Sequence, residues 1–181
     1  MQDRKTLVVF HSRGGATRRL AQTLAATLKA DSEEIVAVQP HEGAIGYAQC
    51  LLESMAALTP AIVACKRDPA RYGLVVVGTP VWGWGPSSPV RTWIAQHHEA
   101  LADTRVAFFC TMGGSGAALV FARMGELTGH EPVATLALTS SQVRGGAKRA
   151  IDGFVQVLKT SGKTAAAPRK VQRTRTAAHA A

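Results

Sequence analysis

Three stretches of this sequence carry residue types that could hold a ligand. The first is Ser12, Arg13, Gly14, Gly15, Ala16 and Thr17, directly after the apolar run Thr6–Phe10. Successive backbone N–H groups at a helix N-terminus, with hydroxyls at both ends and little bulk between, suit a phosphate. The alternative is a plain glycine turn between strand and helix. The second is Thr79, Pro80, Val81, Trp82, Gly83, Trp84, Gly85 and Pro86, read as a loop that holds two of the three tryptophans. Tryptophan in a loop beyond a strand end stacks on something flat or packs under its own loop. The third is Thr111, Met112, Gly113, Gly114, Ser115 and Gly116, whose small residues let a ligand approach the backbone closely. A phosphate cradle, an aromatic plate and a backbone-lined slot together suit a flat heterocycle carrying one phosphate.

Other chemistries fit poorly. The Walker pattern GxxxxGK[ST] is absent, and Gly162-Lys163-Thr164 follows a helix and has Val157 where the first glycine belongs. Neither a dinucleotide GxGxxG nor a GxSxG elbow occurs, since the residue two beyond Ser115 is Ala117. A serine hydrolase is therefore the weakest of the enzymatic readings. Cys50, Cys65 and Cys110 are widely spaced, and the six histidines show no HExxH, so neither a disulfide framework nor a metal is expected. Cys110 ends an apolar strand and reads as inert core. His11 reads as closing the first strand and Ser115 as capping the following helix. No catalytic side chain is assigned.

The elements that must position these loops alternate strand and helix. Thr6–Phe10, Glu34–Val38, Leu74–Gly78, Arg105–Cys110 and Val133–Leu138 read as strands, the apolar runs as strands buried on both faces. Helical stripes run through Leu20, Leu24 and Leu28, through Val90, Trp93, Ile94 and His97, and through Ile151, Phe154, Val155 and Leu158. Another helix spans Gly116 to Leu127, stopped by Gly129. Ser88 looks like an N-cap with Pro89 at the first helical position. Gly43 to Leu58 is also expected to be helical, and Thr59 to Arg71 gives no clear pattern. Such alternation predicts an α/β fold, a parallel sheet covered on both faces, with ligands beyond the carboxyl ends of its strands.

The chain has 181 residues, 46% of them hydrophobic, enough for one packed core. Its formal net charge of +9 is uneven. Six bases and no acid lie from Lys159 onward, so fifteen bases against 12 acids leave only +3 over residues 1–158. One domain over residues 1–159 followed by a basic, unstructured tail over 160–181 is expected. No apolar run is long enough to cross a bilayer. The first strand begins too early for a signal peptide, which points to the cytoplasm.

Three segments in this order, Val9–Thr17 (VFHSRGGAT), Tyr72–Trp82 (YGLVVVGTPVW) and Phe108–Gly116 (FFCTMGGSG), resemble the flavodoxin-like FMN-binding family over about residues 5–158. The resemblance implies a doubly wound, five-stranded parallel sheet of order 2-1-3-4-5 in a three-layer α/β/α sandwich, with FMN at the switch point; flavodoxin is a standard example of that order. It implies that Ser12, Thr17 and the amides of Arg13 to Ala16 hold the FMN phosphate. Trp82 would flank the isoalloxazine, Thr79, Pro80, Val81 and Gly83 would run along its edge, and Thr111, Met112, Gly113 and Gly114 would border the pyrimidine side. Gly83 matches the family's glycine whose peptide turns its carbonyl towards flavin N5 upon reduction.

Departures matter too. Gly14 stands where many flavodoxins have a hydroxyl, and Ala16 where they have Asn or a similar residue. Phosphate binding then leans on backbone amides, helped by Arg13, Arg18 or Arg19 unless these are solvated helix charges. The third loop has no aromatic to cover the outer flavin face, which stays open unless Trp84 or Tyr47 closes it. The loops hold almost no acid, which makes reduction to an anionic flavin less unfavourable. The expected function is an FMN-binding electron-transfer protein or oxidoreductase working with a redox partner protein or a small acceptor such as a quinone. The alternative is a small NAD(P)H-dependent quinone reductase. A reading from another class has the basic tail engage nucleic acid or an anionic surface, but the tail lacks interleaved aromatics and an amphipathic stripe.

Overall fold

A computed structural model describes residues 5–38 and 59–161. Its elements are β1 (Thr6–Phe10), α1 (Ala16–Leu28), β2 (Asp31–Glu34), a single 3-10 turn (Pro69–Arg71), β3 (Leu74–Trp82), β4 (Gly85–Pro86), α2 (Ser88–Gln96), α3 (His98–Leu101), β5 (Arg105–Met112), α4 (Ala117–Thr128), β6 (Thr135–Thr139), α5 (Ser140–Arg144) and α6 (Lys148–Ser161). The expected helix over 43–58 and the tail beyond Ser161 lie outside the described residues.

The sheet runs β2-β1-β3-β5-β6, all parallel, and the short β4 pairs antiparallel with the end of β3. Leaving β4 aside, this is the expected order 2-1-3-4-5. Alternation along the strands divides the core in two. Val8, Phe10, Val76, Ala107 and Phe109 meet Leu20 and Leu24 of α1 and Ile151, Phe154, Val155 and Leu158 of α6. Leu7, Val9, Val75, Val77 and Phe108 meet Val90, Trp93 and Ile94 of α2 and Val120 and Met124 of α4. Each buried Leu or Phe of these stripes contributes about 1.5–3 kcal/mol relative to exposure. That double coverage is why the central strands read as unbroken apolar runs.

One strand lies elsewhere than expected. The apolar run Glu34–Val38 suggested β2, yet the strand is the polar Asp31–Glu34. Being an edge strand, it can carry acids because each finds a donor. Tyr72 Oη donates to Asp31 (2.9 Å), the amides of Lys66 and Arg67 donate to Glu33 (2.5 and 3.0 Å), and Arg18 pairs with Glu34 (2.7 Å). Ile35 closes the strand, buried, with its amide on the Phe10 carbonyl. The chain then leaves the sheet, and residues 36–38 pair antiparallel with 61–63 instead.

Smaller shifts occur at helix starts. The N-cap of α2 is Ser87 rather than Ser88, because the Thr79 hydroxyl draws in the Ser87 amide (2.9 Å). The short α5, absent from the sequence reading, starts at a capping box in which Thr139 Oγ1 accepts from the Gln142 amide and Gln142 Oε1 accepts from the Thr139 amide.

Candidate functional site at the carboxyl edge of the sheet

β1 ends at Phe10 and leads through His11 and Ser12 into the first turn of α1. The helix is capped by Gly15 (φ +82°) with no side-chain capping bond, and its first turn holds no acid. Four amide donors and the positive end of the helix dipole therefore face outward. A β-carbon placed on Gly14 or Gly15 would meet nothing within 4 Å, so the cradle is open. Ser12 is 7% exposed, and its buried hydroxyl oxygen has no hydrogen-bond partner. An unpaired buried hydroxyl is costly, and beside a helix N-terminus it suits an anionic acceptor. Thr17 Oγ1 lies 2.7 Å from Thr111 Oγ1, both buried, which ties the first loop to the third. Of the three arginines, Arg18 turns to Glu34 in a two-pronged contact on the β2 side; Arg13 and Arg19 are exposed.

The second stretch corrects the sequence reading: it is not a loop. Thr79 to Trp82 continue β3, and Val81 and Trp82 pair with Pro86 and Gly85 of β4. Gly83 (φ +52°) and Trp84 (φ +57°) make the two-residue turn, the left-handed pair that a type I′ hairpin requires. Thr79 is fully buried and closes the hairpin base through Ser87, whereas Pro80, Val81 and Gly83 are partly exposed. The two tryptophans differ. Trp82 is 5% exposed and meets the His11 ring edge-on at 5.6 Å. Trp84 is 60% exposed, and a left-handed backbone costs such a residue about 1–2 kcal/mol.

In the third stretch Thr111 and Met112 belong to β5, and only Gly113 to Gly116 form the loop. Gly113 and Gly114 border open space, leaving a slot with no side chain. Ser115 does not cap α4; Gly116 does, at φ +103°. A β-carbon there would sit 3.0 Å from Val81 and 3.1 Å from the Trp84 ring, so glycine is needed for both backbone angle and approach. Cys110 is buried, and burial pushes its thiol up to about 12, as expected for inert core.

His11 is the residue whose role the sequence showed least. Its Nδ1 lies 2.8 Å from the Ile35 carbonyl, and its amide donates to the Gly78 carbonyl. It thus joins the ends of β1 and β2 to the middle of β3 and packs against Trp82. Burial, the largest influence, lowers its pKa below 6.5, against the raising effects of the Ile35 carbonyl and Glu34; Arg18 also lowers it. The unfolded chain takes up this proton first as pH falls, so stability is fully present above 6.5 and declines below it. His11→Gln should flatten that acid-side decline, which chemical denaturation at pH 7 and pH 5 would show.

The flavodoxin family's sequence pattern matches residues 5–127. The chain belongs to the flavodoxin family. Solved structures agree with this family assignment in fold. A Lactobacillus acidophilus flavoprotein in complex with FMN is 22% identical, with TM-score 0.65 over 80% of this chain and 99% of that one. Two-electron reduced Megasphaera elsdenii flavodoxin is 17% identical, with TM-score 0.54 over 86% and 98%. The Trp repressor binding protein of Bacillus subtilis is 12% identical, with TM-score 0.56 over 84% and 98%. No curated protein matches the chain. The residues of this flavodoxin-family chain fit FMN. The unpaired Ser12 hydroxyl and open Gly14–Gly15 cradle suit its phosphate, and the slot at Gly113–Gly114 suits a ring edge. Among the described residues no helix is long and apolar enough to cross a membrane, and no cluster of His, Cys, Asp or Glu could hold a metal.

Proposed function

We propose that this chain is an electron-transfer flavoprotein that binds FMN non-covalently at the carboxyl edge of its sheet. The buried, unpartnered Ser12 hydroxyl at the mouth of α1 is the observation that carries the reading. Ser12, Thr17 and the amides of residues 13–16 hold the phosphate, with Arg13 and Arg19 adding positive potential. The β3 edge from Thr79 to Gly83 runs beside the ring, backed by the buried Trp82, which His11 braces. Thr111 and Met112 with Gly113 and Gly114 border the pyrimidine. Bound FMN supplies the redox chemistry, while the protein orients it and sets its surroundings.

Those surroundings hold little negative charge. Residues 79–87 and 111–116 contain no acid, and Glu34, at the end of β2, is paired with Arg18. Removing carboxylates from around an anion stabilises it. The second reduction potential is therefore expected to be less negative than in a flavodoxin ringed with acids, as spectroelectrochemistry would measure.

The partner is a redox protein or a small acceptor such as a quinone, with NAD(P)H a candidate donor. Cys65 and Cys110 are both free thiols, in keeping with a cytoplasmic site of action. The decisive experiment is the visible spectrum of the purified protein and of its apoprotein titrated with FMN. Two flavin bands with quenched fluorescence are expected, and a colourless protein that ignores FMN overturns the proposal. A reductase reading is favoured by the third loop, which lacks an aromatic cover. Prompt bleaching of the bound flavin by NAD(P)H would select it over a carrier.

A further inference from the structure

The run Arg-Gly-Gly-Ala occurs twice in the chain, at 13–16 leading into α1 and at 144–147 leading into α6. Parallel strands bring both runs to the carboxyl edge, because α1 follows β1 while α5 and α6 follow β6. There α1 packs against α5 and α6, so the two helix starts share one face. Arg19 in the first turn of α1, Arg144 at the end of α5, and Lys148 and Arg149 in the first turn of α6 are all exposed. Lys148 pairs with Asp152, but Arg19, Arg144 and Arg149 make no ion pair among the described residues. A cation in a first turn opposes the helix dipole, so helix stability does not account for these charges.

Acids stand elsewhere. None occurs in 5–30 or 132–151, whereas Asp31, Asp68, Glu99, Asp103, Glu126 and Glu131 lie where the chain approaches or enters a strand, at the opposite edge. Charge is thus uneven along the strand direction, positive at the edge that carries the proposed FMN cradle. Such a field steers and orients an anionic macromolecule. We infer, on the basis of the proposed function, that the face formed by α1, α5 and the start of α6 docks a redox partner protein with an acidic surface. Its guanidinium groups suit carboxylates, which they can grip with two hydrogen bonds. A nucleic acid fits less well, since α1, α5 and α6 expose no aromatic ring on which a base could stack.

The test mixes the full-length, FMN-loaded protein with a reduced plant-type two-iron ferredoxin, a small acidic redox protein, in stopped flow. One electron passes from the ferredoxin cluster to the bound oxidised flavin, leaving the cluster oxidised and the flavin reduced by one electron. The second-order rate should fall about tenfold between roughly 20 and 500 mM salt, as screening of an attractive field requires. Arg144→Glu/Arg149→Glu should slow the reaction about tenfold at the low-salt end and remove most of its salt dependence. This variant should bind FMN as tightly and melt no lower, because both side chains are exposed and an acid in the first turn of α6 favours its dipole. A rate that is immeasurable, ignores salt or rises with it overturns the inference. An unchanged rate in the double variant does so too, since the attraction would then lie on another surface. Displacement of the ferredoxin by equimolar duplex DNA also overturns it, because the face would then serve a nucleic acid. A wild type without flavin bands, read before mixing, overturns the proposed function and this inference with it.

Discussion

Ser12→Ala is expected to leave the FMN-free protein at least as stable as wild type while weakening FMN binding about ten- to hundredfold. The two effects have opposite signs because the buried hydroxyl has no partner within the protein, and on the proposed function FMN would supply one. A buried polar group without a partner costs about 1–3 kcal/mol, and alanine relieves it. On the proposed function the same hydroxyl donates to the FMN phosphate, and a hydrogen bond to a charged acceptor contributes about 1.5–3 kcal/mol. Melting of the apoprotein and fluorescence titration with FMN read the two halves separately. A merely structural serine would move stability alone. Gly14→Asp sharpens the test, since a side chain there meets open space and the fold should tolerate it. Its carboxylate would face the phosphate and should abolish binding at micromolar FMN.

The second large effect concerns the scaffold. Gly78→Ala should destabilise the protein by about 1–3 kcal/mol, the usual cost of overpacking a filled core. Gly78 and Phe109 are direct partners across β3 and β5, and the Phe109 ring lies over the glycine. An added β-carbon would stand 2.0 Å from Phe109 Cζ and 2.4 and 2.5 Å from its neighbouring ring carbons. Phe109 is wholly buried and has nowhere to swing. At about 2–4 °C per kcal/mol for a domain of this size, melting should fall by roughly 2–12 °C. Phe109→Leu in the Gly78→Ala background should recover part of the loss, a coupling that a double-mutant cycle measures. Full additivity would mean the ring is not the obstacle.

These two positions show how unevenly the structure was legible. The glycines and hydroxyls of the first loop were legible as a possible phosphate cradle because helix N-termini present the same donors whatever lies around them. Central strands were readable because burial on both faces leaves a continuous apolar run, and helix stripes at Leu20 and Leu24 or at Phe154 and Leu158 because one face must be apolar. β2 was misread for the converse reason. At a sheet edge, acids are stable once Tyr72, Arg18 and the amides of Lys66 and Arg67 reach them. Those donors are up to 41 residues away. The hairpin was mistaken for a loop because Gly-Trp is a rare type I′ pair, and it is the pairing of Val81 and Trp82 with Pro86 and Gly85 that closes it.

The sequence by itself determined the alternation of strands and helices, and with it the class of fold, whereas the strand order was implied by the resemblance to the flavodoxin-like family. The alternation follows from local periodicity and from turn residues, which act within a few positions of chain. Tertiary structure alone decided which tryptophan is buried and which is free, that His11 braces Trp82, that Thr17 meets Thr111, and that Ser12 is left without a partner. Each depends on groups distant in sequence being brought within hydrogen-bond or van der Waals range. Such contacts fall off within a few ångströms and leave no periodic trace in the chain.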